Sequence, residues 1–305
     1  MTKRHVLLIA LSVSLAACAS SVRFPVEPEL FIDRFDGAEG ITFNAEGRLF
    51  IGANRAVWTA EPDGTTTRIA DVHTHLGQAG IGSRDILAAD FGPTNIFRDG
   101  ANDDGIVWRI TPEGEKTVVA RGIADPNFIL VLRDGSFLVS DDGTDKIYRV
   151  VGDQVSVWSS DVEFPNGMVL SPDERTLYVA QIFSSIQPKP VVFDDRIWAV
   201  PLDGLMPAGK PRVVARTGRG GAVDGLAVDE QGRVYIAANV AGQIWRYDPR
   251  TSELTLIAEG MPGVASLVFG EGKFDREALY ATGTARGGGN VWKIRVGARG
   301  ARLHR

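Results

Sequence analysis

The sequence predicts an all-β chain folded as a six-bladed β-propeller, four antiparallel strands to a blade, with the ring closed by an N-terminal strand. Three observations predict it. Glycine (35 residues) and proline (15) punctuate short runs rich in Val, Ile, Thr, Trp and Tyr, and long helical patterns are few. A strand, turn, strand unit recurs as EGITFNAEGRLFIGA from Glu39, NFILVLRDGSFLVSD from Asn127, NGMVLSPDERTLYVA from Asn166 and DGLAVDEQGRVYIAA from Asp224. Its period of roughly 35 to 50 residues is that of propellers and solenoids. Each unit then continues into two further strands, as in VWTAEPDGTTTRIA and IWRYDPRTSELTLIAEG.

Taken in order, residues 1–17 read as an export signal: Lys3 and Arg4, an apolar stretch from Val6 to Leu15, then small residues. That stretch is too short to span a bilayer as a stable helix. Cys18 is the only cysteine, so an internal disulfide and a thiolate metal site are excluded. Leu15-Ala16-Ala17-Cys18 resembles the lipobox of bacterial lipoproteins, which implies lipidation of Cys18 and a short linker over 18–28. With Ala19 after the cysteine, the resemblance implies the outer membrane of a Gram-negative bacterium and a periplasmic domain.

The propeller is expected over 29–297. ELFIDRF (Glu29 to Phe35) precedes the first unit and is expected to supply the fourth strand that the last unit, Gly263 to Gly297, lacks. A weaker unit runs from His75 to Gly122, with RDILAAD as second strand. The turn glycines Gly47, Gly135 and Gly232 each lie eight residues after the leading Glu, Asn or Asp, whereas the Asn166 copy has a longer turn, SPDERT. Residues 298–305 form a basic tail, expected to be disordered. The formal net charge of −5 argues against nucleic-acid binding, which needs clustered Lys and Arg.

Inner strands of a propeller line its axis, so the residues that head them converge on one mouth of the channel. Here these are Glu39, Asn127, Asn166 and Asp224. Two carboxylates and two amide oxygens are hard donors that suit Ca²⁺ better than zinc. A divalent cation would offset the repulsion between the acids. Taken singly, each residue has a plainer role as a strand cap or Asx-turn.

The motifs Glu39-Gly40, Pro165-Asn166-Gly167, Asp224-Gly225 with LAVDEQGRVYIA, and the final SLVFGEGKFDREALYATG resemble the SMP-30/gluconolactonase/LRE family, over about Glu29 to Gly297. The resemblance implies one catalytic Ca²⁺, or another divalent cation, held by Glu39, Asn127, Asn166 and Asp224, with Asp224 as base or nucleophile. It implies hydrolysis of a lactone, of the sugar-acid (gluconolactonase) kind. Phosphotriester or aryl ester hydrolysis at the same site, and a non-catalytic propeller with a structural Ca²⁺, stay open. The sequence departs from the family at Asn127-Phe128-Ile129, where members often carry Asn-Asp-Gly. Beside a cation, Asp224 is expected to hold a depressed pKa.

No Gly-x-Ser-x-Gly elbow occurs, and of four histidines only His73 and His75 lie within the propeller. Their H-T-H spacing would put both on one face of an extended strand, with His75 toward the pocket, or leave two polar residues in a connecting loop. Two excursions, Phe91 to Gly105 and Gln181 to Asp195, are expected to rim the site. Asn95, Arg98, Phe128 and His75 are the candidate substrate contacts, and Phe97, Phe183 and Phe193 the candidate apolar walls. The expected partners are a small lactone or ester and, through the lipid anchor alone, a membrane.

Overall fold

The computed structural model describes residues 22–93, 103–186, 189–218, 220–285 and 289–305. Cys18, Asn95, Phe97 and Arg98 lie outside them. Within them the chain is all β, without a helix, and its strands group into six antiparallel sheets.

Blade one holds β2 (Ala38–Phe43), β3 (Leu49–Ala53), β4 (Ala56–Ala60) and β5 (Thr66–Asp71). Blade two holds β6 (Gln78–Ile81), β7 (Asp85–Asp90), β8 (Gly105–Ile110) and β9 (Lys116–Ile123). Blade three holds β10 (Pro126–Val131), β11 (Phe137–Asp141), β12 (Ile147–Val151) and β13 (Gln154–Ser159). Blade four has β14 (Pro165–Leu170), β15 (Thr176–Ser185), β16 (Val192–Asp203), the short β17 (Met206–Pro207) and β18 (Arg212–Arg216). Blade five holds β19 (Val223–Val228), β20 (Val234–Ala238), β21 (Gln243–Asp248) and β22 (Glu253–Glu259). Blade six combines β23 (Val264–Phe269), β24 (Ala278–Gly283) and β25 (Gly289–Arg295) with β1 (Glu29–Phe35).

β1 pairs antiparallel with β25 from Glu29↔Lys293 to Phe35↔Gly289, so the first strand closes the last blade as the sequence predicts. The inner strands β2, β6, β10, β14, β19 and β23 touch in succession, with β23 returning to β2. Each inner strand ends its own sheet, so its free edge faces the channel, where the ring shields it from other chains.

What holds the ring is blade-on-blade packing. Each neighbouring pair of blades shares its own apolar cluster, for example Leu138, Ile147 and Trp158 of blade three against Met168, Leu177 and Val179 of blade four. Both faces of an inner strand are therefore covered, and β14, β19 and β23 are buried along their whole length. This is why they read as near-continuous apolar runs instead of alternating ones. Where the last blade meets the first, Phe43, Phe274 and Tyr280 make edge-to-face contacts at 5.0 to 6.3 Å, and Phe31 of β1 joins them. Phe43 is fully buried, and its replacement by alanine would cost about 3 to 5 kcal/mol.

Two expectations change. The excursion from Gln181 to Asp195 is not an open loop: β15 and β16 extend through most of it as a long hairpin, paired as far as Ser185↔Val192. The basic tail is ordered. Gly300 bridges to Asp229, the Glu230 N–H donates to the Arg299 carbonyl (2.9 Å), and the Ala301 N–H donates to Val228 (2.9 Å). His304 meets Glu174 at 2.6 Å and Arg305 pairs with Glu271. These partners lie at the ends of inner strands or in the turns after them, so the tail closes the channel mouth opposite the strand heads. Between heads and tail lies a cavity of about 660 Å³, lined by residues such as Thr42, Phe128, Met168 and Arg305.

Candidate functional site

Glu39, Asn127, Asn166 and Asp224 are each the second residue of an inner strand: β2, β10, β14 and β19. In all four blades the ladder register breaks there, between Ala38 and Ile41, Pro126 and Ile129, Pro165 and Met168, and Val223 and Leu226. A bulge of this kind releases a residue from strict pairing and re-aims its side chain. The repeated sequence unit is thus a repeated bulge, and it turns these side chains out of the sheet. After three of the heads, Glu39, Asn166 and Asp224, a glycine completes the arrangement. A Cβ on Gly167 would stand 2.2 Å from the Asp224 carbonyl oxygen, and one on Gly40 would stand 2.0 Å from that of Leu76. Only glycine permits this approach of neighbouring strand heads.

The four side chains sit in little water. Asn166 is 0% exposed, Asp224 4% and Asn127 5%, while Glu39 is half-buried. Among the described residues, neither Oδ1 nor Nδ2 of Asn166 has a hydrogen-bond partner. Leaving a buried amide unbonded costs about 1 to 3 kcal/mol per group. Asp224 Oδ2 accepts from Asn239 Nδ2 at 3.0 Å, and Asn127 Nδ2 donates to Asp142 Oδ2 at 2.8 Å. Asn127 also hydrogen-bonds the Glu39 carboxylate.

The electrostatics follow from that crowding. Burial, then the charges of Asp224 and Asp142, hold the Glu39 carboxyl well above the usual range. Burial pushes Asp224 up to about 7, against the stabilising bond from Asn239. The depressed value expected of Asp224 belongs to a site with a cation in place; in the protein alone desolvation prevails. Asp142 is raised by burial and by Asp125 beside it, and Asp141 is raised by burial.

The set fits a hard divalent cation on two counts, its oxygen donors and the orphaned Asn166 amide. Acids alone do not build the site: among the described residues no three His, Cys, Asp or Glu side chains are grouped to hold an ion. A cation there depends on the amides as well. Sequence reasoning missed Asp142 and Asn239, which stand just past the ends of β11 and β20 and touch two of the strand heads. The signal that could have found them is their common separation of 15 residues from Asn127 and Asp224.

The remaining candidates divide. His73 and His75 lie in the loop before β6, not on a strand, and they point to different partners. His73 joins Asp90, a fully buried carboxylate that also accepts from Thr74, Gly92 and Trp108. His75 Nδ1 accepts from the Arg55 N–H at 3.3 Å and the ring also bonds the Gly37 backbone, so it is seated against blade one instead of offered to a substrate. Burial is the main cause that lowers its pKa to about 4, with Arg55 adding to the effect. Phe128 is half-buried, lines the central cavity and packs on the cluster between blades three and four. Phe183 and Phe193 do meet, at 5.7 Å, with Phe164 edge-on to Phe183 at 6.3 Å; Phe193 is 45% exposed.

Comparison with solved structures returns the same architecture. A gluconolactonase from Xanthomonas campestris superposes with a TM-score of 0.69 at 20% identity, over 87% of this chain and 88% of that one. A calcium-binding regucalcin from Agrobacterium tumefaciens gives 0.70 at 20% identity, over 91% and 99%. A PQQ-bound aldose sugar dehydrogenase from Streptomyces coelicolor gives 0.66 at 15%, over 88% and 96%. At such identities the likeness establishes the fold, which hosts more than one chemistry. A search of the curated proteins returned no match. Residues 139–285 match the family model described as SMP-30/Gluconolactonase/LRE-like region, a span that includes Asn166 and Asp224. The chain therefore carries an SMP-30/gluconolactonase/LRE-like region set within a complete six-bladed propeller.

Proposed function

We propose that the protein is a divalent-cation-dependent hydrolase that opens lactones, with Ca²⁺ the favoured ion. The observation that carries this reading is Asn166: a fully buried amide without a hydrogen-bond partner among the described residues, at the same strand position as the carboxylates of Glu39 and Asp224. Glu39, Asn166 and Asp224, with Asn127, would hold the ion. When bound, such an ion polarises a substrate carbonyl and stabilises the negative charge that develops on its oxygen. The similarity to a gluconolactonase and a calcium-binding regucalcin supports the substrate class and the ion.

The chain's own residues supply the rest. Asn239 donates to Asp224 Oδ2 and so fixes the orientation of that carboxylate. In that position it serves as general base toward a water, or as the attacking carboxylate. The seating of His75 against Arg55 and Gly37 leaves the proton chemistry to the carboxylates. A second reading, an aryl or otherwise apolar ester as substrate, is favoured by the exposed Phe193, which meets the Phe183 ring in a tilted contact. The lipid anchor at Cys18 and a periplasmic location at the outer membrane belong to the same proposal.

The test is a hydrolysis screen with the full chain in mild detergent, stripped with chelator and reloaded with Ca²⁺, against sugar-acid lactones, aliphatic lactones and aryl esters. Turnover that needs the ion and vanishes in Asp224→Asn is the expected result. Turnover unaffected by chelation, or retained in Asp224→Asn, overturns the mechanism. Ca²⁺ binding without turnover of any substrate would leave a binding propeller in its place.

A further inference from the structure

Blades three and five place a second polar residue behind a strand head in the same way. In blade three the residue before the head pairs as Pro126↔Asp141, and in blade five as Val223↔Ala238. The next residue on the second strand side is Asp142 in one and Asn239 in the other. Each bonds the head beside it, across the same separation of 15 residues: Asn127 Nδ2 to Asp142 Oδ2 at 2.8 Å, and Asn239 Nδ2 to Asp224 Oδ2 at 3.0 Å. The two pairs are one carboxylate–amide bond with the roles exchanged.

The other two strand heads lack this support. In blade one the corresponding residue after Ala53 is Asn54, whose Oδ1 is taken by the Asp36 N–H. In blade four the longer turn brings an apolar residue, Ile182, to the position after Gln181. Asp142 therefore has a particular placement. It is 3% exposed, its Oδ2 is on Asn127, and its Oδ1 has no partner. Asn127 in turn bonds Glu39, so the chain of contacts runs Asp142, Asn127, Glu39. Both carboxylates draw on the N–H end of the Asn127 amide, and the oxygen end is the one they leave unengaged.

We propose that Asp142 is a positioning residue of the cation site, acting through Asn127: by accepting from Nδ2 it fixes which end of that amide is presented as a ligand. This rests on the cation site of the proposed hydrolase. An outer partner that orients a ligand is typically worth about 10- to 100-fold in metal affinity.

The experiment is calorimetric titration of Ca²⁺ into the chelator-stripped full chain for wild type, Asp142→Asn, Asn127→Ala and the double variant. The expected result is a loss of about 10- to 100-fold in affinity for Asp142→Asn. In the Asn127→Ala background the same change should cost no more than about threefold, because a residue that acts through Asn127 has nothing left to orient. Thermal unfolding in chelator should show Asp142→Asn at or above the wild-type midpoint, since it removes a buried and half-satisfied charge. Affinity within about threefold of wild type in Asp142→Asn overturns the proposal, as do losses that add in the double variant, or a midpoint that falls in step with affinity. A wild-type chain that binds no Ca²⁺ would remove the cation site itself, and that outcome is read before any variant is compared.

Discussion

His75 offers a prediction whose size follows from its surroundings. In the folded chain its pKa is lowered from 6.5 to about 4, chiefly by burial and further by Arg55, with Asp90 and Gly37 opposing. In the unfolded chain the imidazole should titrate near its free value of about 6.5. The unfolded state thus takes up a proton between pH 6.5 and 4 that the folded state refuses. Stability is lost as pH falls through that window, and above it the residue contributes no pH dependence. Linkage over these values gives a loss of about 2 kcal/mol by pH 5. His75→Asn removes the titration while its amide oxygen can still accept from the Arg55 N–H. The assay is urea unfolding followed by tryptophan fluorescence at pH 7.5 and pH 5, at fixed ionic strength and in chelator. Glu39, Asp142 and Asp224 titrate in both proteins and cancel in the comparison. The variant should gain about 2 kcal/mol on wild type between the two pH values. A difference that stays constant with pH would refute the argument that the ring is held neutral by its seat.

Asp224→Asn should abolish lactone turnover yet raise the unfolding midpoint of the cation-free protein, because it removes a buried charge that repels Glu39; a lowered midpoint in a calorimetric scan would count against that repulsion. Gly167→Ala should cost about 1 to 3 kcal/mol and weaken Ca²⁺ binding together, since its Cβ would sit 2.2 Å from the Asp224 carbonyl oxygen; retained affinity would mean that the strand heads can spread. Ending the chain after Ala298 removes the backbone bonds of Arg299, Gly300 and Ala301 and the ion pairs of His304 and Arg305. That should cost about 2 to 3 kcal/mol and leave turnover intact, because the tail serves the far mouth; an unchanged midpoint in thermal unfolding would show the tail to be idle.

The ring and its strand heads were legible because they repeat. Glu39, Asn127, Asn166 and Asp224 could be lined up from the sequence alone, and the bulge that makes each of them special recurs at the same register. Asp142 and Asn239 were not legible, because they fall in DDGT and ANVAG, where polar residues are ordinary turn formers. The meaning of each is a contact with a strand head across its own blade. The tail failed for a related reason. A short basic terminus reads as solvated, and nothing local in GARLHR discloses that Glu174 and Glu271, distant in sequence, await it. The Gln181 to Asp195 excursion reads as a loop because its pairing is not local: Gln181, Phe183 and Ser185 on one side pair with Arg196, Phe193 and Val192 on the other.

The two mouths of the channel treat charge in opposite ways, and the contrast bears on which of them is functional. At the far mouth the acidic side chains in and beside the turns are matched: Asp229 with Arg233, Asp134 with Arg149, Glu46 with Arg84, Glu174 with Arg133 and His304, Glu271 with Arg305. At the strand heads, among the described residues, no arginine or lysine pairs with Glu39, Asp142 or Asp224, although burial raises the pKa of all three. Folding alone would favour the matched arrangement at both ends, because an uncompensated buried charge is among the costlier features a protein can carry. The same repeat that places a matched acid at one end of its hairpin places an unmatched one at the other. A compensating charge that arrives from solution, and is held by these oxygens and by the unbonded amide of Asn166, accounts for that difference.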